Sequence, residues 1–297
     1  MKHIILLLCL VLCFSGCVAQ HVPPDGPIET PAQTKKPLIS PTASSSIPEP
    51  SPGVTPVSDT PFARIDFDDT VSVDMDFDGT DETISISEGD GIVTVAYTDG
   101  DVKKEKLIEP LYVETCFIDD VAENDGYLEL FVIGDMASDD YVTYIYRIKD
   151  SVLDECAIYG IVGETDGSRS LLVKATIDVF GTYGAQCLYS LKDGFDFAVS
   201  SPYTVIQYEG YEERKITVKK YDLSAQASIN GGEYENVLLP EGTELLLKET
   251  DCKSYGIFTT ENNTRIRIAI TKNPDEWGWY IDGMPEEEWF DGLSYSG

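Results

Sequence analysis

Histidine is nearly missing from this chain. Of 297 residues only His3 and His21 are histidines, and both lie in the first sixty. Everything after residue 61 therefore lacks the imidazole that Ser-His-Asp, Cys-His and most zinc hydrolase schemes require. Seven cysteines are present but no CxxC pair, which argues against a structural zinc site. The chain also has no GxSxG elbow, Walker loop or GxGxxG turn. Basic residues are scarce: 21 Lys and Arg stand against 53 Asp and Glu, a net charge of −32. Residues 62–297 hold 49 of the acidic and 18 of the basic side chains. Such a surface repels nucleic acid and anionic headgroups, so neither is expected as a partner. It suits cations or basic peptides, or simply solubility. No stretch reaches 18 consecutive apolar residues, so no transmembrane helix is predicted.

What is present begins with "MKHIILLLCLVLCFSGCVAQ". Lys2 gives a positive start, and Ile4 to Phe14 form an apolar run of 11 residues. A bilayer span needs about 20, whereas a secretory signal needs a run of this length followed by small residues. Ser15-Gly16-Cys17 then resembles the lipobox of bacterial lipoprotein signals, with Phe14 where that pattern usually has leucine. The resemblance implies a signal peptide over 1–16 and a diacylglycerol on Cys17. The expected location is the extracellular face of the cell membrane, held through the lipid alone. Two acyl chains suffice for that, since each buried methylene contributes about 0.8 kcal/mol. Residues 17–61 are rich in Pro, Ser and Thr without apolar periodicity, the composition of a disordered stalk.

From residue 62 onward the pattern predicts an all-β fold. "TISIS", "GIVTVAYT", "YLELFVIG", "YVTYIYRI" and "TRIRIAI" alternate or concentrate β-branched and aromatic residues over short runs. Turn signals such as Asp99-Gly100 and Asn230-Gly231-Gly232 separate them. A repeat is visible as well. "DGTDETISI" (78–86), "DGYLELFVI" (125–133) and "DGSRSLLVK" (166–174) follow at offsets of 47 and 41 residues. Periods of about 40 to 50 residues suit propeller blades of four strands. These segments resemble FG-GAP/VCBS repeats, the integrin-like blade family, over residues 62–205. A closed ring needs at least four blades and about three fit. The expectation is an incomplete propeller-like or sandwich β-repeat domain.

"DMDFDGTDETISIS" contains the candidate metal site. In the blade family a D-x-D-x-D-G-x-x-D loop binds calcium. The resemblance implies a structural Ca2+ held by Asp74, Asp76, Asp78, the backbone carbonyl of Thr80, and Glu82, with Gly79 permitting the sharp turn. An EF-hand would need a glutamate at position 12, where Ser85 stands. A dockerin loop leads into a helix, and this one continues as a strand. The alternative is an acidic turn whose carboxylates are merely solvated. The second copy places Val121, Glu123, Asp125 and Glu129 at the ligand positions, and losing the first carboxylate predicts an empty loop.

Residues 206–297 resemble bacterial Src-homology-3-like barrels of envelope proteins, through "LPEGTELLLKE" and the short strands after it. Trp277, Trp279 and Trp289 cluster near the end. They are candidate ligand-binding aromatics, or else the core of that small barrel. Cys116, Cys156, Cys187 and Cys252 leave three disulfide connectivities open, and free thiols suit them equally. The functional expectation is a cell-surface lipoprotein that binds a wall polymer or a protein partner, with calcium stiffening its repeats. The alternative is an extracellular glycan hydrolase using two carboxylates.

Overall fold

The computed structural model describes residues 63–296 apart from 109–111, 137–139, 150–151, 209, 211, 221, 230 and 275–276. Cys17 and the Pro/Ser/Thr segment lie outside the described residues. The described chain is all-β, as the alternation predicts, with one short 3-10 turn at Glu286–Glu288. It forms several antiparallel sheets and no closed barrel.

Strand β1 (Ala63–Ile65) precedes three consecutive four-stranded meanders. The first comprises β2 (Thr70–Val73), β3 (Glu82–Gly89), β4 (Ile92–Asp99) and β5 (Val102–Ile108). The second comprises β6 (Tyr112–Asp119), β7 (Glu129–Asp135), β8 (Tyr141–Lys149) and β9 (Val152–Tyr159), with β1 added beside β6. In the third, β10 (Ile161–Thr165), β11 (Ser170–Asp178), β12 (Thr182–Leu191) and β13 (Phe197–Val199) pair in order. Each repeat seen in the sequence thus opens the second strand of one meander.

The sheets stack because their residues alternate with period two. Ile84, Ile86, Val93, Val95 and Tyr97 of the first sheet pack with Ile118, Leu130, Val132 and Tyr146 of the second. The opposite face of the second sheet offers Phe117, Phe131, Ile133 and Ile145, which pack with Val162, Leu171 and Val173 of the third. The middle sheet is covered on both sides, and "ELFVI" in β7 is accordingly an unbroken buried run. Strand β5 is an edge carrying Lys103, Lys104 and Lys106 outward, charges that oppose pairing with another chain. Between β3 and β4, Asp90 and Gly91 both take positive φ, 55° and 75°, the two-residue turn whose twist matches the strands.

The carboxy-terminal strands continue the third sheet. β14 (Tyr203–Val205) pairs with β12 and with β18 (Glu244–Thr250). β15 (Lys215–Val218) takes the other end of β18. Beyond β18 follow β19 (Tyr255–Thr259), β20 (Arg265–Ala269), β16 (Leu223–Ser228) and β17 (Glu235–Leu239). The short β21 (Tyr280–Ile281) and β22 (Met284–Pro285) form a hairpin, and β23 (Phe290–Asp291) pairs with β15. Strands on both sides of residue 205 therefore share one hydrogen-bonded surface. Ile177, Phe180, Tyr183 and Ala185 share a core with Ile216, Leu245, Phe258 and Phe290. No described pairing joins β17 back to β15 or β23, which leaves this part an open sheet rather than a closed barrel.

Candidate functional site

The loop between β2 and β3 spans residues 74–81 and is closed by the Val73–Glu82 pair. Phe77 and Gly79 take positive φ, 55° and 91°, so the chain curls inward on itself. The curl brings one carboxylate oxygen each of Asp74, Asp76 and Asp78 within 4.8 Å of one another. Backbone amides fix their outer oxygens: Gly79 N–H donates to Asp74 Oδ2 at 2.9 Å, and Thr80 N–H donates to Asp78 Oδ1 at 2.7 Å. Asp76 Oδ1 accepts from Asp78 N–H at 3.3 Å. Burial and the neighbouring Asp78, Asp74 and Asp99 push the Asp76 carboxyl up.

Glu82 marks the site most sharply. It is 1% exposed, and its Oε2 accepts from Met75 N–H at 2.6 Å. Its other oxygen, Oε1, is buried without a hydrogen-bond partner, and so is Asp74 Oδ1. Burial, then Asp76 and Asp99, push the Glu82 carboxyl up. Buried polar atoms are almost always satisfied, so two orphaned carboxylate oxygens stand out in a loop whose Asp74, Asp76 and Asp78 are close enough to hold a metal ion. The donor set fits one: the atoms gathered there are all hard carboxylate oxygens.

The second loop corrects the sequence alignment by one residue. Its β-pairs close at Asp119–Glu129, leaving nine residues, 120–128, where the first loop has eight. Val121 N–H donates to Glu129 Oε2 at 3.0 Å, as Met75 N–H does to Glu82. Val121 therefore occupies the place of Met75, and Asp120 that of Asp74. Downstream, Asn124 and Gly126 repeat the positive φ of Phe77 and Gly79. What fills this loop is Arg147. Its Nε donates to Glu129 Oε1 at 2.8 Å, and an Nη2–H donates to Asp125 Oδ2 at 2.9 Å and to Glu129 Oε1 as well. The guanidinium carbon lies 4.8 Å from the ring centres of both Tyr127 and Phe195. Burial pushes the Glu129 carboxyl up to about 7, with Arg147 and the Val121 amide drawing it back. The third loop has Ser170 in the glutamate's place, and Asp166 Oδ1 accepts only from its own turn, at Ser168 N–H.

The tryptophans do not form one platform. Trp279 and Trp289 are core residues, their Nε1–H groups donating to Asp178 O at 2.6 Å and Ile281 O at 2.9 Å. Only Trp277 is exposed, at 66%, with its ring edge-on to Tyr295. The four cysteines of the described chain are free thiols, and burial pushes Cys116 and Cys252 up to about 12.

Aromatic surface is gathered elsewhere, in a groove of about 750 Å³ at the seam where β9 of the second sheet passes to β10 of the third. Tyr141, Tyr159, Tyr189, Tyr203 and Tyr208 line it, with Asp140 and Lys174 bringing the charges. Two glycines let its walls approach. A Cβ on Gly160 would sit 2.6 Å from the Lys174 carbonyl, and one on Gly184 would sit 2.8 Å from the Tyr208 hydroxyl. Sequence reasoning missed this groove because its tyrosines come from segments far apart in the chain. Comparison with protein-family models, with curated proteins and with solved structures gives no match for this chain.

Proposed function

We propose that the protein is a lipid-anchored module on the outer face of the cell membrane that binds a cell-wall polymer, with one calcium ion pinning its first repeat. The tyrosine-lined groove carries the binding reading. Its volume lies in the range of ligand clefts, and phenol rings offer both a stacking face and a hydroxyl to a saccharide. Asp140 is the one carboxylate among the described residues that line it, whereas glycan hydrolysis uses a pair about 5 to 9.5 Å apart. Binding is therefore preferred to hydrolysis. The test is retention on purified cell wall, with Tyr159→Ala as the control. Wild type is expected to be retained, and the variant to bind about 2- to 10-fold more weakly, the value of one aromatic contact. No retention of wild type overturns the reading.

The calcium reading stands on the orphaned Glu82 Oε1 and Asp74 Oδ1. Calcium tolerates irregular oxygen coordination, whereas magnesium demands near-ideal octahedral geometry. At an ion concentration of 100 times Kd the folded state gains about 2.7 kcal/mol. For a domain of this size that is about 5–10 °C in Tm. Melting with calcium and after chelation measures it, and coincident curves refute the site.

A further inference from the structure

The three loops differ at one position that the sheet register defines. One step beyond the Thr83–Thr98 pair, the first meander sets Asp99 opposite Glu82. The second sets Arg147 opposite Glu129. The third sets Ser170 opposite Ser190. Across the three hairpins the chain thus places acid against acid, acid against base, and neutral against neutral.

The middle case explains the first. Glu129 and Glu82 are both buried, and each accepts one amide bond from the same point of its loop. Glu129 spends its remaining oxygen on the guanidinium of Arg147, which also takes Asp125, the counterpart of Asp78. At Glu82 the corresponding oxygen is buried without a hydrogen-bond partner. Asp99, which the register sets opposite Glu82, brings a further negative charge to that place where the second loop has a guanidinium. A buried carboxylate without a counter-charge is strongly unfavourable, so the first loop calls for positive charge that no ion pair among the described residues supplies.

We propose that the residue facing the buried glutamate decides where each repeat obtains its positive charge: Arg147 is the built-in cation of the second loop, and Asp99 is a further negative charge that draws a divalent cation to the first. One repeat is held by solution calcium and its neighbour by a side chain, in the same place and for the same electrostatic reason. This assignment rests on the calcium reading above and goes beyond it in adding Asp99 and in making the second loop metal-independent.

The experiment compares full-chain wild type, Asp99→Asn and Asp99→Arg by calcium titration calorimetry and by melting without metal. Wild type is expected to take one calcium ion. Asp99→Asn is expected to bind it about 10-fold more weakly, because affinity in such loops follows the number of ligand charges. Asp99→Arg places a guanidinium where Arg147 stands in the second loop. It is expected to melt several degrees above metal-free wild type and to gain nothing from calcium. Arg147→Gln provides the converse: its melting temperature is expected to rise with calcium by more than that of wild type, as a second site opens. No calcium binding by wild type overturns the calcium reading itself. Calcium binding that Asp99→Asn leaves unchanged overturns the assignment of Asp99 alone. An Asp99→Arg protein that melts no higher than metal-free wild type overturns the rule for both loops.

Discussion

Arg147→Met is the substitution with the most calculable consequence. The guanidinium side chain is 8% exposed and its partner Glu129 is 0% exposed, so removing the charge strands a carboxylate in the interior. Breaking a buried pair from one side costs about 3–5 kcal/mol. At about 2–4 °C per kcal/mol for a domain of this size, Tm falls by about 6–20 °C. The methionine keeps part of the contact with Tyr127 and Phe195, which favours the lower half of that range. The double variant Glu129→Gln with Arg147→Met isolates the charge effect, because the glutamine still accepts from Val121 N–H. Its loss is expected to be smaller than that of Arg147→Met alone. The pH dependence follows the same logic. Glu129 already has its carboxyl raised from 4.5 to about 7, and without Arg147 it rises further. A carboxyl raised in the folded state contributes stability that is complete below its unfolded value and is lost as pH climbs through the folded one. Arg147→Met should therefore be nearer to wild type at pH 5 than at pH 8. Urea unfolding at both pH values measures each quantity. A loss below about 1 kcal/mol at pH 8, the range of exposed bridges such as Lys103–Glu105, refutes the reasoning.

Three further outcomes follow from the same structure. Trp279→Phe leaves the Asp178 carbonyl without its donor and is expected to cost about 1–3 kcal/mol, whereas Trp277→Ala should stay within about 0.5 kcal/mol; equal losses in thermal melts would contradict the burial assigned to them. Glu286 is fully buried and accepts from Phe180 N–H at 3.1 Å and from the Tyr295 hydroxyl, while burial pushes its carboxyl above the usual 4.5. Its contribution is whole below pH 4.5 and is lost as pH rises through the raised value, so Glu286→Gln should flatten the fall of Tm between pH 4.5 and 8, and an unchanged slope counts against this. Gly160→Ala meets the Lys174 carbonyl at 2.6 Å at a φ of 126°, and it should lower Tm and weaken wall retention together; a variant with wild-type melting would show that the seam yields easily.

Much of this protein was decided locally. Alternation in "TISIS" and "GIVTVAYT", broken by Asp90-Gly91, dictates a hairpin whose inward face is Ile84, Ile86, Val93, Val95 and Tyr97. A two-residue turn leaves one register, so counting outward from it is enough to set Asp99 opposite Glu82. The acidic spacing of residues 74–78 likewise carries the curl that gathers three carboxylates, because they are near neighbours in the chain. Three stacked meanders follow from the repeat itself, one per Asp-Gly motif.

Tertiary structure alone decided the rest. Residues 136–140 separate β7 from β8, and a connection of that length does not fix register, so no count along the chain could set Arg147 against Glu129. The extra residue in the second loop moved Val121 to the place of Met75, and the closing pair at Asp119–Glu129 with the Val121 amide bond to Glu129 reveals the shift. The tyrosine groove draws on residues from Tyr141 to Tyr208 and exists only where two sheets meet. The two buried tryptophans show the same limit, since their rings lie in the core while Trp277, two residues before Trp279, faces solvent. Periodicity fixes which side of a strand is inward, but which inward faces meet is set by the packing of whole sheets, and that is where the groove and the buried indoles are settled.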